Sequence, residues 1–246
     1  MGSIGLRSVS TGLSRNAHAL DEALHRIALE FSPAAMASSL SAEDMIITDA
    51  ILRNDLAIEI FTLDTGRLHG DTLDLLDQIE EHYGYRVRRV IPDPVAVARY
   101  VTSNGRDAFY ASVALRKGCC AIRKIEPLAR ALTGKRAWIT GLRRAQAVTR
   151  DALREIEHDA VHRITKFNPL ADWSEEDVWD YVRANGVPIN RLYEHGYRSI
   201  GCAPCTRPTV TGEEVRAGRW WWEQPESREC GLHVAPDGRL GRKEPA

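Results

Sequence analysis

Four of this chain's five cysteines form two pairs, the adjacent Cys119-Cys120 and the knuckle Cys202-x-x-Cys205. Two such pairs can present four thiolates to one centre. Adjacent side chains on a helix point about 100° apart, which suits the spread corners of an iron–sulfur cubane better than a single small ion. The pattern therefore favours an iron–sulfur cluster, with zinc as the alternative. A thioredoxin-type reading of Cys-Ala-Pro-Cys needs a strand before it and a helix after it. Here Ile200-Gly201 precedes the motif and Thr206-Arg207-Pro208 follows it, which suits a loop. The fifth cysteine, Cys230, stands in Glu229-Cys230-Gly231-Leu232-His233 within a short polar segment. A free cysteine is normally buried. One on a polar tail beside Arg228 and His233 can be held as a thiolate and act as a nucleophile.

Three loops are candidates to line a site, two of them with groups suited to anions. Ser38-Ser39-Leu40-Ser41-Ala42-Glu43-Asp44 offers small hydroxyls and backbone N–H groups before a helix, a common anion cradle. Leu63-Asp64-Thr65-Gly66 reads as a turn. Gly141-Leu142-Arg143-Arg144-x-Gln146-x-x-Thr149-Arg150 brings arginines, which grip phosphate and sulfate through two parallel hydrogen bonds. Arg216 and Arg219 lie beside Trp220-Trp221-Trp222. Three consecutive tryptophans cannot share one face, so some of them must anchor a core or an interface.

The elements that must position these groups follow from hydrophobic spacing. Helical spacing covers residues 17–31, 43–52 with Ser41 as its cap, 71–82 ending at Gly84, and a long stretch from 95 to 132 broken near Asn104-Gly105. Strands are expected at 35–38, 57–63, 87–91, 136–140 and 161–167. Ser174 and Asp177 read as a capping box for a helix that stops at Asn185-Gly186. Beyond Tyr197 only a turn of helix at 212–216 is expected. Strands alternating with helices predict an α/β fold with a parallel-type sheet covered by helices. Its ligands bind at the carboxyl ends of the strands, so the three loops should converge on one crevice. The expected organisation is one domain at 17–228, loop-rich at its C-terminal end, and a mobile tail at 229–246.

Thirty-three Lys and Arg against 34 Asp and Glu leave a net charge of −1, so no global field draws the chain to nucleic acid or anionic membranes. No apolar run approaches the roughly 18 residues of a spanning helix, and no signal-peptide segment opens the sequence. A cytoplasmic location is expected, where structural disulfides are rare.

Taken together these motifs resemble the assimilatory sulfonucleotide reductases, in the adenylylsulfate branch that carries a 4Fe–4S cluster. The resemblance spans about Ser38 to His233. It rests on Cys119-Cys120-x-x-Arg123-Lys124-x-x-Pro127-Leu128, Cys202-x-x-Cys205, Arg219-Trp220-Trp221-Trp222-Glu223 and Glu229-Cys230-Gly231-Leu232-His233. It implies an adenine nucleotide α-hydrolase-like fold and reduction of adenosine 5′-phosphosulfate to sulfite and AMP. One 4Fe–4S cluster is implied on Cys119, Cys120, Cys202 and Cys205, with no flavin or nicotinamide. Ser38, Ser39, Ser41 and Asp44 match the family's phosphate-side loop; Leu63, Asp64, Thr65 and Gly141 match the adenosine side. Lys124, Arg216 and Arg219 match phosphosulfate-binding positions, and Cys230 matches the nucleophile, with Arg150 and His233 near it. The implied partner is thioredoxin or glutaredoxin as reductant, with further copies of the same chain and neither nucleic acid nor membrane. Activity on the 3′-phosphorylated nucleotide is the nearest alternative, since some cluster enzymes of this kind accept both. An ATP pyrophosphatase-type thiolation enzyme would need Ser-Gly-Gly-x-Asp-Ser where this chain has Ser-Leu-Ser-Ala-Glu-Asp. A cluster-bearing nucleic-acid-binding protein would need more positive charge.

Overall fold

The computed structural model describes residues 11–146 and 150–224. Helix α1 (Thr11–Glu30) starts earlier than its expected first residue, because Leu13 continues the buried face of Leu20, Leu24 and Ile27. It leads into β1 (Ala34–Ser38), α2 (Ala42–Arg53), β2 (Ile58–Leu63), α3 (Gly70–Tyr83) and β3 (Arg88–Val90). Gly84 ends α3 in the left-handed conformation that glycine adopts without a Cβ clash. The expected long helical stretch is three helices: α4 (Pro94–Asn104), α5 (Val113–Cys120) and α6 (Glu126–Leu132). A π turn at Ala121–Ile125 joins α5 to α6.

After β4 (Ala137–Ile139), the strand expected at 161–167 is shorter. It forms β6 (Ile164–Phe167), paired antiparallel with β5 (Ile156–Asp159), which the sequence reading missed. Ile-Glu-His-Asp has no apolar alternation to mark it, as befits an exposed edge strand. Arg163, at φ +58°, turns the chain between the two. Helix α7 (Glu175–Asn185) opens on the Ser174/Asp177 capping box and ends at Gly186 in the left-handed conformation. The helical turn expected at 212–216 is instead a set of tight turns. There the Glu213 carboxylate accepts from the Val210 N–H and from Arg207.

The six strands run in the order β3-β2-β1-β4-β6-β5, parallel except for β5. Successive side chains alternate between the faces of the sheet. Ala34 and Met36 of β1 join Ile60 and Ile139 under α1, α2, α3 and α7. Ala35 joins Phe61, Val90 and Trp138 under α6. Both faces are covered, which leaves the carboxyl edge of β1, β2 and β4 as the open end.

Candidate active site

At that edge lies a cavity of about 590 Å³, within the roughly 300–1,000 Å³ typical of small-molecule sites. The β1–α2 loop forms one wall. Leu40 turns this loop at φ +62°, with its side chain fully buried in the core, so an anchored leucine holds a backbone shape that favours glycine. Ser41 occupies the N-cap position of α2 but makes no side-chain capping bond. Instead Ser39 Oγ points to Ser41 Oγ at 3.2 Å. Asp44, in the first turn of α2, accepts from the Ser39 N–H and from Ser39 Oγ, both at 2.6 Å, through Oδ2. Its Oδ1 accepts from the Gly141 N–H at 2.9 Å. One carboxylate thus joins the β1–α2 loop to the loop after β4. Burial outweighs these bonds and pushes the Asp44 carboxyl up to about 6.

The opposite wall is braced through Glu43, which is buried. Its Oε1 accepts from Arg143 Nε at 3.0 Å, Arg143 Nη2 at 2.8 Å and Gln146 Nε2 at 2.9 Å. Gln146 Oε1 in turn accepts from the Arg143 N–H and from Arg150. Arg143 is therefore consumed by a buried ion pair, while Gln146 holds Arg150 at the cavity wall. Tyr193 accepts from the Ala42 N–H at 2.9 Å and closes the same side.

Lys124, Arg216 and Arg219 also line the cavity. Arg219 is 6% exposed; its Nη1 donates to the Ile200 carbonyl at 2.9 Å and approaches Ser199 Oγ at 3.4 Å. Its Nε has no hydrogen-bond partner among the described residues. Gly201 makes room for this guanidinium, since a Cβ there would lie 2.4 Å from Nη2.

Beside this cavity is a smaller one, lined by Cys119, Cys120, Cys202 and Cys205 together. None of the four is in a disulfide. The first pair lies at the end of α5, where it enters the π turn, and the second on a single 3₁₀ turn, Ala203–Cys205. Arg67, Arg116, Arg123 and Lys124 ring the same space. The segments are stitched to the sheet: Cys202 Sγ meets Thr65 Oγ1 at 3.3 Å, Arg123 donates to the Thr65 carbonyl at 2.6 Å, and the Ala203 N–H donates to the Arg67 carbonyl at 2.8 Å. Burial, with Cys202 nearby, pushes the Cys205 thiol up to about 11. Four thiols converging on a space ringed by cations suit an anionic, sulfur-ligated centre. Among the described residues no group of three or more His, Cys, Asp or Glu side chains is set to hold a metal ion.

Of the residues singled out from sequence, Ser38, Ser39, Ser41, Asp44, Leu63, Thr65, Lys124, Gly141, Arg150, Arg216 and Arg219 all face the larger cavity. Asp64 does not line it. It accepts from Arg89 at 2.5 Å and from the Gly66 N–H at 3.0 Å, and so fixes its own turn. Cys230 and His233 lie outside the described residues. Sequence reading passed over Glu43, Tyr193 and Arg116, whose partners are distant in the chain and leave no local signal.

Two relatives are similar over nearly the whole length. The adenosine 5′-phosphosulfate reductase of Allochromatium vinosum is 54% identical over 226 residues, covering 92% of this chain and 88% of that one. The enzyme of the same name from Neisseria meningitidis serogroup A is 54% identical over 224 residues, covering 91% and 92%. Among solved structures, phosphoadenylyl-sulfate reductase from Candida auris superposes with a TM-score of 0.66 at 25% identity, over 82% of this chain and 98% of that one. Candida glabrata FMN adenylyltransferase, at 13% identity, TM-score 0.57 and coverage of 97% and 82%, shares the fold alone. These neighbours agree with the expected adenine nucleotide α-hydrolase-like architecture. Residues 33–208, which run from the residue before β1 to just past the second cysteine pair, match the phosphoadenosine phosphosulfate reductase domain, and the chain belongs to that family.

Proposed function

We propose that this protein reduces adenosine 5′-phosphosulfate to sulfite and AMP, with electrons from thioredoxin or a similar dithiol protein. The observation that carries this reading is the shared wall between the two cavities: Lys124 and Cys202 line both. The larger cavity has room for a mononucleotide and carries Lys124, Arg216 and Arg219 for its phosphosulfate. These cations offset the repulsion between an incoming thiolate and an anionic substrate. The Cys230 thiolate attacks the sulfate sulfur, a sulfur–sulfur bond forms, the sulfur–oxygen bond to phosphate breaks, and AMP departs. A thioredoxin thiolate then attacks the Cys230 sulfur and releases sulfite. Its second thiol resolves the mixed disulfide, so the two electrons come from thiols.

Cys119, Cys120, Cys202 and Cys205 are the residues that would hold a 4Fe–4S cluster, and their four thiols, none of them in a disulfide, fit that donor set. When bound, such a cluster supplies a fixed charge that orders the neighbouring arginines and Lys124. The test is anaerobic purification followed by iron and sulfide analysis, and assay of AMP and sulfite with thioredoxin. Broad visible absorption with labile sulfide and stoichiometric sulfite supports the proposal. Stoichiometric zinc without sulfide removes the cluster, and the absence of sulfite removes the reaction. Competition between adenylylsulfate and its 3′-phosphorylated form decides the substrate branch, with preference expected for the former.

A further inference from the structure

Trp220 is fully buried, and its indole is flanked by two guanidiniums: Arg116 at 4.7 Å and Arg219 at 4.6 Å from the ring centroid. The two arginines belong to different cavities. Arg219 lines the nucleotide cavity and Arg116 the four-cysteine cavity, which Trp220 lines as well. Arg116 is itself fixed. It is 1% exposed and gives two bonds to Glu223, Nε to Oε1 at 2.9 Å and Nη2 to Oε2 at 2.8 Å, and its side chain is hydrogen-bonded to Cys120. A buried charge pair of this kind is a weak source of net stability, because desolvation offsets most of the attraction. It is, however, a rigid one. Trp220 also adopts φ +43°, a conformation that is an outlier for a bulky side chain and persists where surroundings over-determine it.

We propose that Arg116 and Trp220 are positioning residues that hold the Arg219 guanidinium in the nucleotide cavity and tie its placement to the four-cysteine cavity. The inference rests on the reading of Arg219 as a phosphosulfate-binding cation. Arg116, held by Glu223 and Cys120, presents a flat cation to one side of Trp220; the indole presents a π surface to Arg219. Arg219 also donates to the Ile200 carbonyl, two residues before Cys202. A disturbance at either cysteine segment therefore moves the group that meets the substrate's anion, with no direct contact between thiol and nucleotide required.

The experiment is a double-mutant cycle on the full chain, purified anaerobically, in a Cys230→Ser background with no thiol reductant present. Adenylylsulfate affinity is measured by calorimetry, and iron content and visible absorption are recorded for each variant. Arg219→Lys and Trp220→Leu should each weaken affinity about tenfold, the scale of a desolvated cation–π contact. The double variant should be at most about threefold weaker than the worse single one, because both remove the same interaction. Trp220→Phe should stay within about threefold of the parent, since it keeps a π face, and it carries the test if Trp220→Leu does not fold. Arg116→Lys should weaken affinity about fivefold with iron content unchanged, because an ammonium keeps the charge and loses the planar face. Multiplying losses in the double variant, equal losses from Phe and Leu, or full affinity in Arg116→Lys would overturn the proposal. An Arg219→Lys variant with unchanged affinity would instead overturn the reading of Arg219 on which it rests.

Discussion

Asp44 performs its task at an electrostatic cost. It is the buried tie between Ser39 and Gly141, and its carboxyl is raised from 3.8 to about 6, first by burial and in smaller part by the neighbouring Glu43. Between those values the folded chain keeps a proton that the unfolded chain has released. The stability this group contributes is therefore fully present below about 3.8 and is lost as pH rises through about 6. Urea unfolding of the parent and of Asp44→Asn should diverge accordingly, the parent losing about 2 kcal/mol relative to the variant between pH 4 and 6.5. Nucleotide binding should run the other way. The ionised form accepts all three hydrogen bonds, so affinity should fall as pH drops through 6, and Asp44→Asn should flatten that profile. At Cys230 the expectation is chemical. Cys230→Ser should retain nucleotide binding and visible colour while losing turnover by at least about a thousandfold, because a neutral alcohol is a far weaker nucleophile than a thiolate. Mass spectrometry of the parent given adenylylsulfate without thioredoxin should show an SO₃ adduct on the peptide holding Cys230.

At the scale of elements, the loops that build the cavity depend on backbone shapes as much as on side chains. A Cβ on Gly141 would lie 2.4 Å from Asp44 Oδ1 and 3.0 Å from Glu43 Cβ, and both acids are pinned by other bonds. Gly141→Ala should therefore lower the melting temperature, at a cost of about 1–3 kcal/mol, and should weaken nucleotide binding, as checked by thermal melting and calorimetry. These loops were legible in the sequence because their turns, caps and apolar runs are local. The Ser174/Asp177 capping box and the stops at Gly84 and Gly186 stand where the residues place them. What escaped was either polar or non-local. Strand β5 offers no alternation, because it is an edge. The π turn after Cys120 has an ordinary helical composition. The Glu43 brace joins residues about a hundred positions apart, and no spacing rule reaches that far.

For the molecule as a whole, the two cysteine pairs arrive from opposite sides of the chain's path through the sheet. Cys119 and Cys120 precede β4, whereas Cys202 and Cys205 follow α7. A group bound to all four therefore closes a long loop and restrains the C-terminal segment against α5. Cys202→Ser should lose most of its iron, and hydrogen exchange should then rise in the 3₁₀ turn Ala203–Cys205 and the Thr206–Arg219 bridge. Exchange in β1, β2 and β4 should stay unchanged, because their pairing needs none of these cysteines. The same separation sets a timetable for biosynthesis. Roughly eighty residues divide Cys120 from Cys202, so at about 5–20 residues per second the first pair leaves the ribosome about 4–16 s before the second. During that interval a nascent chain exposes half a donor set, open to oxidation or capture by a stray ion. A group that binds all four cysteines can be inserted only after Cys205 has left the ribosome as well.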